Sequence, residues 1–255
     1  MHDLVDSHVH LDQLAFAPDR EAVIKRASLA GVSRMIIPAT HAATWAALDA
    51  LCGEHPHIYP AFGLHPVFID KHLPEHVQTL SSWLDRNVAV AVGEIGLDFH
   101  VERLNRDLQR DYFARQLQLA SDYDLPVIVH ARAALEEVIL TLRRHGGLRG
   151  VVHSFSGSQQ QAENLWKLGF HLGIGGPITY ERAQRLRRIV SNMPIQYLLL
   201  ESDAPDQPDA GHRGQRNEPA RVATILSCVA ALREQPLAEV AAATTANARQ
   251  LFKLD

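Results

Sequence analysis

Short apolar, β-branched runs alternate with longer helical patterns along all 255 residues, and this alternation limits the possible folds more than any other feature. The strand candidates are Asp3 to His8, Arg34 to Pro38, Ile58 to Gly63, Val88 to Gly93, Pro126 to His130, Gly150 to His153, Phe170 to Ile174 and Gln196 to Leu200. Between them lie stretches with apolar residues at three and four spacing, such as Ala22-Val23-Ala27-Leu29-Ala30 and Tyr112-Phe113-Leu117-Leu119-Ala120. Gly31, Gly146-Gly147 and Gly169 stand where those helices should stop. Eight strands, each followed by a helix, predict a closed α/β architecture, the (β/α)8 TIM barrel, with residues 1–255 as a single domain. A doubly wound open sheet would more often place a glycine-rich phosphate loop after its first strand, whereas here that strand runs into Ser7-His8-Val9-His10. Pro205, Pro208, Gly211 and Gly214 mark Ala204 to Arg216 as a long loop after strand eight, and a last helix from Leu237 to Phe252 is expected to close the barrel's lower end.

Composition excludes several classes. Hydrophobic residues at 46% and charged residues at 21% suit a packed globular chain, and no apolar run approaches the roughly 20 residues of a membrane helix. No basic segment followed by an apolar stretch opens the chain, so no signal peptide is expected. Two distant cysteines, Cys52 and Cys228, offer neither a disulfide framework nor a thiolate metal site and fit a reducing cytoplasm. A net charge of −4 gives no bulk attraction to phosphate backbones, so any nucleic-acid contact must be local. No stable protein partner is indicated, and a monomer is expected.

With 15 histidines, an H-x-H pair is expected about once by chance, and His55-Pro56-His57 shows how little such a pair means alone. Position is what separates the two pairs. His8 and His10 follow strand one, Glu94 follows strand four, His130 strand five, His153 strand six and Asp203 strand eight. In a parallel barrel the carboxyl ends of the strands converge on one face, where active sites are built. His55 and His57 instead precede strand three, on the opposite face. Residues two apart on a strand point the same way, so His8 and His10 can face one metal. Four imidazoles and two carboxylates exceed the three protein ligands of a single catalytic zinc and suit two ions about 3.5–4 Å apart. Glu94 is the candidate bridge, with His8, His10 and Asp203 completing one ion and His130 and His153 the other. Such ions serve to bring the pKa of water down towards about 7. Mixed nitrogen and oxygen donors favour zinc or manganese over magnesium.

The motifs together resemble the TatD family of metal-dependent hydrolases, in the amidohydrolase-like barrel superfamily. They are Asp6-Ser7-His8-Val9-His10-Leu11, Gly63-Leu64-His65-Pro66, Gly93-Glu94-Ile95-Gly96-Leu97-Asp98 and Pro126-Val127-Ile128-Val129-His130-Ala131-Arg132. His153-Ser154-Phe155-Ser156-Gly157, Glu201-Ser202-Asp203-Ala204-Pro205 and Arg216-Asn217-Glu218-Pro219 complete the series. The resemblance implies a (β/α)8 barrel, two divalent metal ions (Zn, Mn or Mg) on the same six residues, and deoxyribonuclease activity, often as a 3′ exonuclease. Two departures stand out: Ser154 where many members have cysteine, and Leu172-Gly173-Ile174-Gly175-Gly176 in place of a serine-containing segment.

Other roles follow from position. His65 is expected to contact substrate or orient the attacked group, and Arg132 to clamp a phosphate through its planar guanidinium. Asp203 is the general-base candidate, alongside Glu94 and His65 as catalytic residues. Asp6, Asp98 and Glu201 are expected to orient ligating imidazoles, and Asn217-Glu218-Pro219 to fix the last loop. Arg213 and Arg216 are candidates for a basic rim. DNA is the expected substrate. The alternatives are a hydrolase of small-molecule C–N, lactone or ester bonds and, from a different class, a metal-dependent binding factor with a vestigial site.

Overall fold

In the computed structural model, which describes residues 2–254, the chain forms eight parallel strands and nine α-helices. The strands are β1 (Leu4–Asp6), β2 (Val32–Pro38), β3 (Ile58–Phe62), β4 (Ala91–Asp98), β5 (Val127–Arg132), β6 (Gly150–Val152), β7 (Phe170–Ile174) and β8 (Leu198–Leu200). The helices are α1 (Arg20–Leu29), α2 (Trp45–Glu54), α3 (His76–Leu84), α4 (Arg106–Asp122), α5 (Leu135–His145), α6 (Gln159–Lys167), α7 (Gln184–Asn192), α8 (Val222–Arg233) and α9 (Leu237–Phe252). Strands pair in sequence order from β1 to β8. The seam between β8 and β1 is drawn together by Ser7 N donating to Leu200 O at 3.0 Å and Asp203 N donating to His8 O at 2.9 Å. Among the described residues no helix is long and apolar enough to cross a membrane.

Helix boundaries follow local chemistry. Asn105 caps α4 by accepting from Leu108 N, and Ser158 and Gln161 form a reciprocal capping box at α6. Helix α5 carries Glu136 and Glu137 in its first turn and Arg143, Arg144 and His145 in its last, matching the helix dipole. It stops at Gly146, whose φ of 68° lies in the region only glycine enters freely. Leu29 departs from the expected pattern: at 65% exposed it faces solvent, and α1 packs through Val23, Ile24 and Ala27.

Two apolar layers hold the barrel. One lies between strands and helices. The other fills the interior with Val5, Ile36, Ala61, Ala91, Ile128, Val151 and Leu199, one residue from each of seven strands. Ala248, Leu251 and Phe252 of α9, with Leu254, join that inner cluster. The last helix therefore plugs the amino-terminal end, and Asn247 Nδ2 anchors it to the carbonyls of Ile195 (2.7 Å) and Leu198 (2.9 Å).

The largest difference from the sequence pattern concerns β4. Glycine and a carboxylate suggest an end at Gly93, yet β4 runs on to Asp98 and pairs with β5 through Asp98↔Arg132. Glu94 and His130 thus lie within strands rather than after them. The ladder slips between Val92 and Ile95, a bulge that re-aims the intervening Glu94. Gly96 permits the close pairing, since a Cβ there would lie 2.1 Å from His130 O. Two glutamines of α4 lock the adjoining strand ends. Gln109 exchanges hydrogen bonds with the Asp98 backbone (2.8 and 3.0 Å), and Gln116 with that of Leu64 (2.7 and 3.2 Å).

Truncating the plug tests this account. Phe252→Ala should cost about 3–5 kcal/mol in urea unfolding, the usual loss for a buried aromatic, while leaving the carboxyl-end site intact in the folded fraction. An unchanged unfolding midpoint would remove α9 from the core.

Candidate metal centre

The carboxyl ends of the strands bring His8, His10, His65, Glu94, His130, His153 and Asp203 to one place, each buried except His130, which is partly exposed. Glu94 stands at the middle and its two oxygens face different neighbours. Oε2 lies 3.3 Å from His8 Nε2 and 3.6 Å from His10 Nε2. Oε1 lies 2.8 Å from His153 Nε2, 3.0 Å from His65 Nε2 and 3.1 Å from His130 Nδ1. Asp203 Oδ1 completes the first group, 3.7 and 3.8 Å from His8 and His10 Nε2.

Ring nitrogens also face one another: His8 and His10 Nε2 at 3.2 Å, His130 Nδ1 and His153 Nε2 at 3.2 Å. Converging lone pairs at that spacing need a proton or a cation between them. The donor set therefore fits divalent cations, and the triads His8–His10–Glu94 and His65–Glu94–His130 each have ligand atoms within 4.8 Å of one another. His65, expected to contact substrate or orient the attacked group, lines the cleft and faces the same Glu94 oxygen as His130 and His153.

The supporting carboxylates behave differently from one another. Asp98 Oδ2 accepts from His130 Nε2 at 3.0 Å, fixing the tautomer that turns Nδ1 inward. Glu201 Oε1 accepts from Ser154 N at 2.6 Å and lies 3.9 Å from His153 Nδ1. Its other oxygen occupies the space a side chain at residue 173 would need, because a Cβ on Gly173 would meet Oε2 at 2.0 Å. The glycine in that departing segment is thus a requirement of Glu201. Asp6 does not orient an imidazole. It accepts from Ser202 N (2.9 Å), Ser202 Oγ (2.6 Å) and His8 N (3.2 Å), stitching the turns after β1 and β8. Asn217 Nδ2 donates to Ser202 O (2.7 Å) and Asp206 O (2.9 Å), the loop-fixing role its position suggests.

Charges within the cluster are strongly coupled. Burial opposes ionisation of Glu94, but His65, His153 and His8 outweigh it and hold the carboxyl well below its ordinary range. Burial likewise opposes a charge on His153, yet Glu94 lifts it to about 10. Burial drives His65 down to about 4 and His8 well below the usual imidazole value.

The cleft above the cluster has a volume of about 570 Å³. Arg132 lines it and is exposed, as a phosphate clamp requires. Arg213 is exposed on the long loop after β8. Arg216 is not available as a basic rim: it grips Asp19 at 2.7 and 2.8 Å and lies over the Phe16 ring. His55 pairs with Glu21 at 3.2 Å, remote from the cluster at the amino end of β3. Phe68 and Gln207 also line the cleft and carry no sequence signal of it, whereas the cleft-lining Ser154 lies in the His153–Gly157 motif. Gln207 lies in a proline- and glycine-rich loop whose course periodicity cannot trace.

A proton balance follows from these charges. Glu94 favours the protonated form of His153, and an imidazole must be neutral to ligate, so binding of Mn(II) or Zn(II) there should release protons and tighten as pH rises. Calorimetry in two buffers of different ionisation enthalpy reads this directly. Identical heats would contradict it.

Residues 5–253 match the model of the TatD related DNase family. A relative from Escherichia coli strain K12, named uncharacterized metal-dependent hydrolase YjjV, is 42% identical over 98% of both chains. The crystal structure of YjjV, described as a TatD homolog from Escherichia coli K12, superposes with a TM-score of 0.96 at 40% identity over 99% of both chains. The 3'-5' ssDNA/RNA exonuclease TatD of Erwinia tasmaniensis is 37% identical, covering 98% of this chain and 100% of its own. The chain belongs to the TatD-related DNase family and is a metal-dependent hydrolase.

Proposed function

We propose that this protein hydrolyses phosphodiester bonds in DNA, acting from 3′ ends, at a centre for two divalent ions. His8, His10, Asp203 and Glu94 Oε2 would hold one ion, and His130, His153 and Glu94 Oε1 the other. The observation that carries this reading is the division of Glu94, whose two oxygens lie within 3.6 Å of imidazole nitrogens from opposite halves of the barrel. When bound, the ions supply an acidified water and charge to offset that developing on a phosphoryl group.

The chain's own residues do the rest. Arg132 reaches the cleft from the end of β5 and orients the phosphate by bidentate hydrogen bonds. His65, held by Val67 N donating to its Nδ1 at 3.0 Å, presents Nε2 to the cluster and shapes the position of the attacked group. Asp203 takes the proton of the attacking water at Oδ1, the oxygen facing His8 and His10. As the water oxygen bonds phosphorus, the bond to the leaving sugar oxygen breaks and the proton passes to that oxygen. No serine or cysteine nucleophile is required. DNA as substrate is supported by the family's description, by the exonuclease name of one relative and by Arg132.

A second reading, hydrolysis of small-molecule C–N, lactone or ester bonds, is favoured by one observation. A cleft of about 570 Å³ falls within the range of small-ligand sites.

Metal-loaded protein should shorten 3′-labelled single-stranded DNA and leave a panel of lactones and amides untouched. Turnover confined to that panel would favour the second reading. Asp203→Asn should fold normally, bind metal and lose activity by on the order of 10²–10⁴-fold, the usual contribution of a general base. Wild-type turnover in that variant would remove Asp203 from the chemistry.

A further inference from the structure

Ser154, Asp203 and Gln207 all have positive φ, at 48°, 54° and 50°, and all three border the cleft. Such conformations are unfavourable for serine and glutamine and persist where the surroundings over-determine them. What determines them here is a chain of side-chain hydrogen bonds running from the turn after β6 to the loop after β8. Ser154 Oγ lies 3.0 Å from Gln207 Oε1 and 2.7 Å from its Nε2, and Gln207 Nε2 donates to Asp203 Oδ2 in a short hydrogen bond. Ser154 is itself pinned, its N–H donating to Glu201 Oε1 at 2.6 Å.

The consequence falls on Asp203. A carboxylate at a metal centre can present one oxygen or both, and rotation about its last torsion interconverts the two arrangements. Asp203 is 8% exposed, and its Oδ2 is held by the glutamine amide. That leaves Oδ1 as the oxygen directed at His8 and His10. We infer that Gln207 is a positioning residue: anchored by Ser154, it holds Asp203 in a single-oxygen presentation toward the metal cluster. Gln207 acts through Asp203 and not on the substrate.

The chemical advantage is geometric. With Oδ2 held by the amide, the carboxylate cannot turn, and Oδ1, the proposed proton acceptor, stays facing the cluster. Hydrogen-bond partners of metal ligands commonly matter 10–100-fold in affinity or activity. The inference rests on the proposed two-metal hydrolysis only for its effect on turnover; its effect on coordination stands apart from any substrate.

Gln207→Leu removes the amide and keeps the bulk, at a part-buried loop position outside both apolar layers, and an unchanged thermal midpoint verifies the fold. In the cobalt-substituted protein the visible absorption should change in position and intensity relative to wild type. With bis(p-nitrophenyl) phosphate as a probe, kcat should fall by roughly 10–100-fold with KM within about twofold. Ser154→Ala should show the same signature more weakly, and the double variant should be no worse than Gln207→Leu alone. Gln207→Asn, too short to span both partners, should not rescue. A cobalt spectrum and kcat identical to wild type would overturn the inference, as would a raised KM with intact kcat, which would make Gln207 a substrate contact. Should the wild-type protein cleave no phosphodiester, the proposed function fails while the cobalt spectra still decide the role of Gln207.

Discussion

The rest of the site depends on one buried carboxylate shared among histidines. Glu94 is 1% exposed and has five imidazole nitrogens within 3.6 Å, from the ends of β1, β3, β5 and β6. An isolated carboxylate in that position would be neutralised by desolvation, and removing one partner of a buried charge pair typically costs about 3–5 kcal/mol. The barrel tolerates the charge because its strands deliver compensating groups from several directions at once. Parallel strands closing on one another converge five side chains from four strands far apart in sequence.

Much of the frame for this was legible in the sequence, and for a physical reason. Side-chain period and glycine placement reflect local steric rules, so the alternation of strands and helices, the stop at Gly146 and the closing helix Leu237–Phe252 could all be read from residues alone. His8, His10, Glu94, His130, His153 and Asp203 could be grouped because barrel topology converts strand-end position into spatial proximity. The parts that were not legible depend on non-local register. The extension of β4 to Asp98 is stabilised by pairing with β5 and by Gln109, and neither is visible in a window around Gly93. The reassignment of Arg216 from the rim to Asp19 reflects a partner 197 positions away. Asp6 looks by alternation like an imidazole's partner, yet the turn of Ser202 brings backbone and hydroxyl donors to it first.

The site also shows a division of labour between strands and loops. Ligand candidates sit on or next to strands, where the ladder fixes them, and the tautomer of His130 is set by Asp98. The loops after β6 and β8 carry the cleft-lining Ser154 and Gln207, while Asn217 ties the β8 loop back to Ser202. Exposed positions of those loops, such as Arg213, can vary without disturbing the cluster, whereas Ser154 and Gln207 reach it through the hydrogen bond from Gln207 to Asp203. Variation at the exposed positions is one way a scaffold and donor set can serve different substrates.

The central claim is that Glu94 bridges two divalent ions, one on each oxygen. Crystals grown with Mn(II) or Zn(II) and measured at the metal's absorption edge test it most directly. The account predicts two anomalous peaks about 3.5–4 Å apart on either side of the Glu94 carboxylate, one beside His8 and His10 and the other beside His130 and His153. A single peak, or a pair that does not share Glu94, would contradict it.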